Sequence, residues 1–161
     1  MSLIIFAEFS VSKGTPDGVG GMIVDLVSNY IMKQKEINPF VLFIDEIHRY
    51  TRNNYDSNSN IGLTIIAREG RKKGVFLFLT TQNPHDVPSV LLGQVGTLLI
   101  HRLTHKNEVE AVQNYLSEVS VERVRNLNQG EAILTSINLI QDIMINVIAS
   151  TRIHNNSTPK L

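Results

Sequence analysis

The chain has 161 residues, 42% of them hydrophobic, and its 15 basic and 15 acidic side chains cancel to a formal net charge of zero. That length builds one domain with its own core, and the neutral balance gives no whole-domain electrostatic signature for nucleic acid. Zero cysteines exclude disulfides and thiolate metal sites, and no apolar stretch approaches the ~20 residues of a membrane span.

Met1–Phe6 carries no basic leader and no cleavage site, so it does not read as a signal peptide, and a cytoplasmic protein is expected. Leu3–Phe9 is a short apolar strand candidate. The turn-rich Lys13-Gly14-Thr15-Pro16-Asp17-Gly18-Val19-Gly20-Gly21 follows. Its lysine precedes the glycines, whereas a phosphate loop, G-x-x-x-x-G-K-[ST], places lysine after them. No Gly-Lys-Ser or Gly-Lys-Thr occurs in the chain, so this segment is expected to be a loop that does not cradle phosphate. Met22 to Lys35 predicts a helix with Met22, Ile23, Leu26, Val27, Tyr30 and Ile31 on one apolar face, stopped by Asn38-Pro39.

Phe40-Val41-Leu42-Phe43-Ile44 then reads as a strand buried on both faces of a parallel sheet, and it ends in Asp45-Glu46. Open α/β sheets place their chemistry just beyond the carboxyl ends of such strands. In a nucleotide-hydrolysing site the pair divides its labour. Asp45 would hold Mg²⁺, directly or through a water, and Glu46 would orient and polarise the attacking water. The competing reading is an Asp-Glu pair that starts a solvated loop or caps the next helix.

Tyr50–Ser59 is polar and reads as an exposed, mobile loop. Ile61 to Lys73 predicts a helix ending in Arg68-Glu69-Gly70-Arg71-Lys72-Lys73-Gly74. Gly74 is a natural C-cap there, and cations suit the last turn. Val75–Leu79 is a second continuous apolar strand, and it delivers Thr80-Thr81-Gln82-Asn83-Pro84 at its carboxyl end. If the two strands are neighbours, Thr81 and Gln82 sit beside Asp45 and Glu46.

Val87–Leu92 predicts a short helix and Thr97–Ile100 a third strand running into His101-Arg102-Leu103. Asn107–Leu116 and Val119–Leu127 are helices. Gly130–Thr135 and Ile143–Ile148 close the fold as a hairpin-like strand pair. Residues 1–154 thus form a single α/β domain, three-layered and mostly parallel with an antiparallel edge hairpin, and 155–161 is a polar tail.

The Asp-Glu strand, the Ala67–Gly74 block and Thr80–Pro84, in this order and joined by His101-Arg102-Leu103, resemble the HerA/FtsK group of RecA-like motor ATPases. The likeness is to the C-terminal half of the HerA ATPase domain, over about Asp45 to Ile148. The resemblance implies a RecA-like fold and a ring, a hexamer in the parent, that hydrolyses ATP with Mg²⁺ and moves on double-stranded DNA, with a nuclease as partner. It also implies roles. Asp45 and Glu46 match the Walker B acids, Thr81 the nucleotide-binding region, and Gln82 the polar sensor of the γ-phosphate. Arg68 or Arg71 matches an arginine finger for the neighbouring subunit.

The family's phosphate loop is missing, so the chain is expected to be a partial P-loop NTPase fold, a fragment inactive alone. Two alternatives stay open. One is a phosphate-loop-free regulatory or assembly module acting in trans on a partner ATPase. The other is a metal-dependent hydrolase using Asp45, Glu46 and His48 or His85. For DNA contact, only the Tyr50–Asn60 loop and Arg71-Lys72-Lys73 offer modest candidates.

Overall fold

The structure is a computed structural model and describes residues 19–35, 37–51 and 62–148. The strand expected at Leu3–Phe9, most of the Lys13–Gly21 and Tyr50–Asn60 loops, and the tail lie outside the described residues.

Helix α1 (Val19–Lys33) is followed by strand β1 (Phe40–Ile44), the short helix α2 (His48–Thr51) and helix α3 (Gly62–Glu69). A 3-10 turn over Gly70–Lys73 leads through Gly74 into β2 (Val75–Leu79). Gly74 takes φ 82°, the left-handed conformation of a helix C-cap. A Cβ there would come within 3.2 Å of the Pro39 Cα.

β1 and β2 run parallel in register, Phe40 beside Val75 and Ile44 beside Leu79. The remaining elements are α4 (Ser89–Leu92), β3 (Thr97–Ile100), α5 (Lys106–Val112), α6 (Glu118–Arg123), β4 (Glu131–Ser136) and β5 (Ile143–Asn146).

The chain is therefore mixed α/β, with a parallel sheet and an antiparallel one. The expected closing hairpin is present, β4 pairing with β5, and β3 joins it on the other side in the order β3-β4-β5.

Each sheet has its own core. Ile100, Val109, Val112, Val124, Leu127 and Ile133 pack between the antiparallel sheet and α5–α6. Ile47, Leu63, Val87, Leu91 and Leu92 form the other, with Val24, Ile44, Leu77 and Leu79 against them.

Two sequence expectations change in this second core. α1 meets α3 through Asp25 and Ser28, not through Leu26 and Tyr30, which are exposed. The cause is Gly62. Its N–H donates to Asp25 Oδ1, and a side chain in its place would lie 2.9 Å from the Asp25 carbonyl oxygen and from Ser28 Cβ. The helices close where the bulk is missing.

Second, β1 is not buried on both faces among the described residues. Val41 and Phe43 are 59% and 61% exposed, and their partners Phe76 and Phe78 are 50% and 59% exposed. The pleat sends alternate side chains to opposite faces, and the described helices cover only one of them.

Candidate active site

Carried one residue past the strands, the parallel register sets Asp45 beside Thr80. The backbone ladder continues accordingly: the Thr80 N–H donates to the Ile44 carbonyl at 3.0 Å and the Ile47 N–H to the Thr80 carbonyl at 2.9 Å. Both strand ends are fixed, so the polar side chains that follow them meet.

Thr80 donates its hydroxyl hydrogen to Asp45 Oδ1, and its own Oγ1 accepts the Glu46 N–H at 3.1 Å. Glu46 Oε2 accepts the Gln82 N–H at 3.2 Å and lies 3.2 Å from His48 Nδ1. His48 Nδ1 is also 3.0 Å from Thr81 Oγ1, which accepts the Asn83 N–H at 3.0 Å. Glu46 has φ 52°, the only positive value at a non-glycine residue among the described residues. A left-handed glutamate is uncommon and is held by its surroundings.

Asp45 is exposed and accepts from Thr80 through Oδ1, while Glu46 is half-buried. An ionised carboxylate beside a hydroxyl at an open strand edge suits Mg²⁺. That ion keeps several waters and takes one or two protein carboxylates together with phosphate oxygens.

The expected site residues thus fall into two groups. Asp45, Glu46, Thr81 and Gln82 come together at the carboxyl ends of β1 and β2. Arg68, on the last turn of α3, and Arg71, on the 3-10 turn, lie at the amino end of β2. Five residues of strand separate the two ends, about 16 Å at ~3.3 Å per residue. Both arginines are exposed and make no ion pair among the described residues.

Lys73 is different. Its ammonium donates to the Met32 and Gln34 carbonyls, the second at 2.9 Å, and so satisfies the C-terminus of α1. Of the three basic residues weighed for DNA contact, only Arg71 and Lys72 point into solvent.

Thr80 and His48 carry more of the network than their sequence positions suggest. Thr80 is legible once β1 and β2 are paired in register. His48 sits on a helix of four residues, too short for periodicity to show which way a side chain points. His85 contacts Asp86 Oδ1 at 3.5 Å on a separate turn. Among the described residues no three His, Asp or Glu side chains form a metal cluster, so the metallohydrolase alternative has no ligand set there. No helix among them is long and apolar enough to cross a membrane.

The family model for the helicase HerA-like C-terminal region matches residues 33–146. A probable helicase of Methanocaldococcus jannaschii is 33% identical over 128 residues, 69% of this chain and 25% of that protein. The DNA double-strand break repair helicase HerA of Saccharolobus solfataricus is 31% identical over 99 residues, 60% of this chain and 20% of that protein. The chain thus spans a quarter or less of these curated relatives.

Among solved structures, the DNA-packaging ATPase of Sulfolobus turreted icosahedral virus superposes with a TM-score of 0.64 at 19% identity, covering 86% of this chain and 65% of that one. VirB4 of Thermoanaerobacter pseudethanolicus gives 0.62 at 19% identity, covering 82% and 37%. At such identities the likeness is one of fold, a P-loop NTPase-like arrangement, and the family assignment rests on the sequence matches. Paired acids at one strand end, polar residues at the next and a model match over most of the length place the chain in the helicase HerA-like C-terminal family.

Proposed function

We propose that this chain carries the hydrolytic half of an ATP-driven motor site acting on double-stranded DNA. The observation that carries the reading is the coupling of two adjacent parallel strand ends, Asp45 to Thr80 and Glu46 to Gln82. In this reading Asp45 would hold Mg²⁺, and Glu46 orients the attacking water as general base. Gln82 senses the γ-phosphate at the tip of the same loop, and Thr81 lines the nucleotide edge. When bound, Mg²⁺ would neutralise phosphate charge as it builds up on the leaving group.

The phosphates need a cradle of backbone N–H groups and a lysine. No Gly-Lys-Ser or Gly-Lys-Thr is present in the 161 residues, so we assign the cradle to polypeptide outside this sequence and expect the chain alone to be inactive. Arg68 and Arg71 lie at the far end of the sheet from the acids and so fit a finger offered to a neighbouring subunit better than a role in their own site. That geometry favours a ring, a hexamer in our reading; the cytoplasmic setting and a nuclease beside the motor rest on the family resemblance alone. The same geometry equally serves a module that activates a partner ATPase in trans.

The test is ATP hydrolysis by the full-length protein with double-stranded DNA present. Glu46→Gln should lower kcat by on the order of 100-fold while an ATP analogue still binds. Undiminished turnover in that variant would remove Glu46 from the mechanism and the reading with it. Arg68→Ala and Arg71→Ala, each mixed with wild-type subunits, separate the ring from the module. A ring loses activity in proportion to the variant subunits, whereas a module changes only its partner's rate.

A further inference from the structure

His48 is 9% exposed at the start of α2, between the acids and the sensor loop. Its Nδ1 faces two oxygens, Glu46 Oε2 at 3.2 Å and Thr81 Oγ1 at 3.0 Å. An ionised carboxylate offers only lone pairs, so the contact with Glu46 is attractive when Nδ1 carries the hydrogen.

The two oxygens are tied further. Glu46 Oε2 also accepts the Gln82 N–H, and Thr81 Oγ1 accepts the Asn83 N–H. The imidazole therefore closes a ring of polar contacts running from the β1 end to the β2 loop and back. Glu46 sits in the left-handed region, which a glutamate rarely adopts without such restraint.

We propose that His48 is the positioning residue for Glu46. It sets the direction of the carboxylate and locks it to the Thr81–Asn83 loop, so that a shift of that loop turns Glu46 with it. The inference rests on the reading of Glu46 as the hydrolytic acid. A general base misplaced by about 1 Å can lose on the order of 100-fold in rate, and removing a group that orients a reactive one typically costs about 10- to 100-fold. His48 touches neither nucleotide nor water in this scheme and acts through Glu46 alone.

Two substitutions separate the donor from the bulk. His48→Asn keeps an N–H near the place of Nδ1, and His48→Phe keeps a planar ring without the donor. In the full-length protein, His48→Phe should lower kcat about 10-fold or more with KM for ATP within about 2-fold, and His48→Asn should restore most of the rate. Equal rates in the wild type and His48→Phe would overturn the proposal. So would a KM that rises together with the loss in kcat, or a loss as large in His48→Asn as in His48→Phe.

A second readout needs no hydrolysis and so stands apart from the functional reading. Long-range proton–nitrogen NMR of the 161-residue chain reports the His48 ring nitrogens directly. Glu46→Gln should move the Nδ1 signal and leave that of His101 unchanged. An unmoved Nδ1 signal would show that no contact exists, whatever the ATPase result. A moved signal with a wild-type protein that does not hydrolyse ATP would keep the clamp and discard the motor.

Discussion

Thr80 donates its hydroxyl hydrogen to Asp45 across the ends of two parallel strands, and the oxygen that donates also accepts the N–H of Glu46 at 3.1 Å. One hydroxyl thus orients both residues of the acid pair. Thr80→Val keeps the shape and removes both roles, leaving a carboxylate and an N–H to find water. The expected cost in chemical denaturation is about 1 kcal/mol, since the group is partly solvated. Thr80→Ser should retain most of it. A valine variant as stable as wild type would show that the hydroxyl is idle in the folded chain.

Lys73 gives a second prediction. Its ammonium serves two carbonyls at the end of α1, joining that helix to the turn before β2. Lys73→Met keeps the stem and strips the donors. Stability should fall by about 1–2 kcal/mol, because two carbonyls lose a charged partner in a part-buried position. The exposed Lys72→Met should change it by less than about 0.5 kcal/mol. Urea denaturation of the two variants side by side checks the contrast.

The strands were legible because short runs of Phe, Val, Ile and Leu bounded by Pro39, Asp45, Gly74 and Thr80 admit little else. If the two strands are neighbours, Thr81 and Gln82 fall beside the acids, and the parallel pairing of β1 with β2 supplies that condition. The stripe of α1 that faces α3 was not legible. Leu26 and Tyr30 make the stronger apolar pattern, yet Gly62 draws the contact to Asp25 and Ser28, and no local pattern encodes a partner 37 residues away. The recruitment of β3 by β4 is hidden for the same reason, since ladder partners such as Ile100 and Ile133 are distant in sequence. The sequence offers His48 only as a candidate metal ligand, because four helical residues carry no face that would show its turn towards Glu46.

Asp142 yields a pH prediction. It lies before β5 and accepts the Ser117 N–H at 2.9 Å and the Ser117 hydroxyl at 2.8 Å. Burial alone would raise its pKa. The hydrogen bonds from Ser120, from the Ser117 N–H and hydroxyl, and from Thr135 together outweigh it and hold the carboxyl below its ordinary value of 3.8. A depressed folded pKa contributes stability above the unfolded value, and that contribution is lost as pH falls through the folded one. Wild type should therefore exceed Asp142→Asn in denaturation midpoint at neutral pH. The gap should narrow only below about pH 4. A constant gap from pH 7 to pH 3 would show that the charge is immaterial.

The uncovered face of the parallel sheet supports the last prediction. Val41 and Phe43 on β1 lie beside Phe76 and Phe78 on β2, and each is half or more exposed. Full burial of side chains this size is worth about 1.5–3 kcal/mol each, so half of that for four gives roughly 3–6 kcal/mol of driving force towards any apolar cover. A patch of adjoining phenylalanines on a small domain marks an association surface. The isolated 161-residue chain should therefore self-associate at micromolar concentration, with light scattering showing species larger than a monomer. Phe43→Lys with Phe78→Lys should shift it towards the monomer without unfolding it, because both side chains point away from the core built on Leu63, Leu91 and Leu77. The inward-facing Leu77→Lys should unfold the domain instead. A wild-type chain that stays monomeric at high concentration would mean that the face is covered within the chain itself.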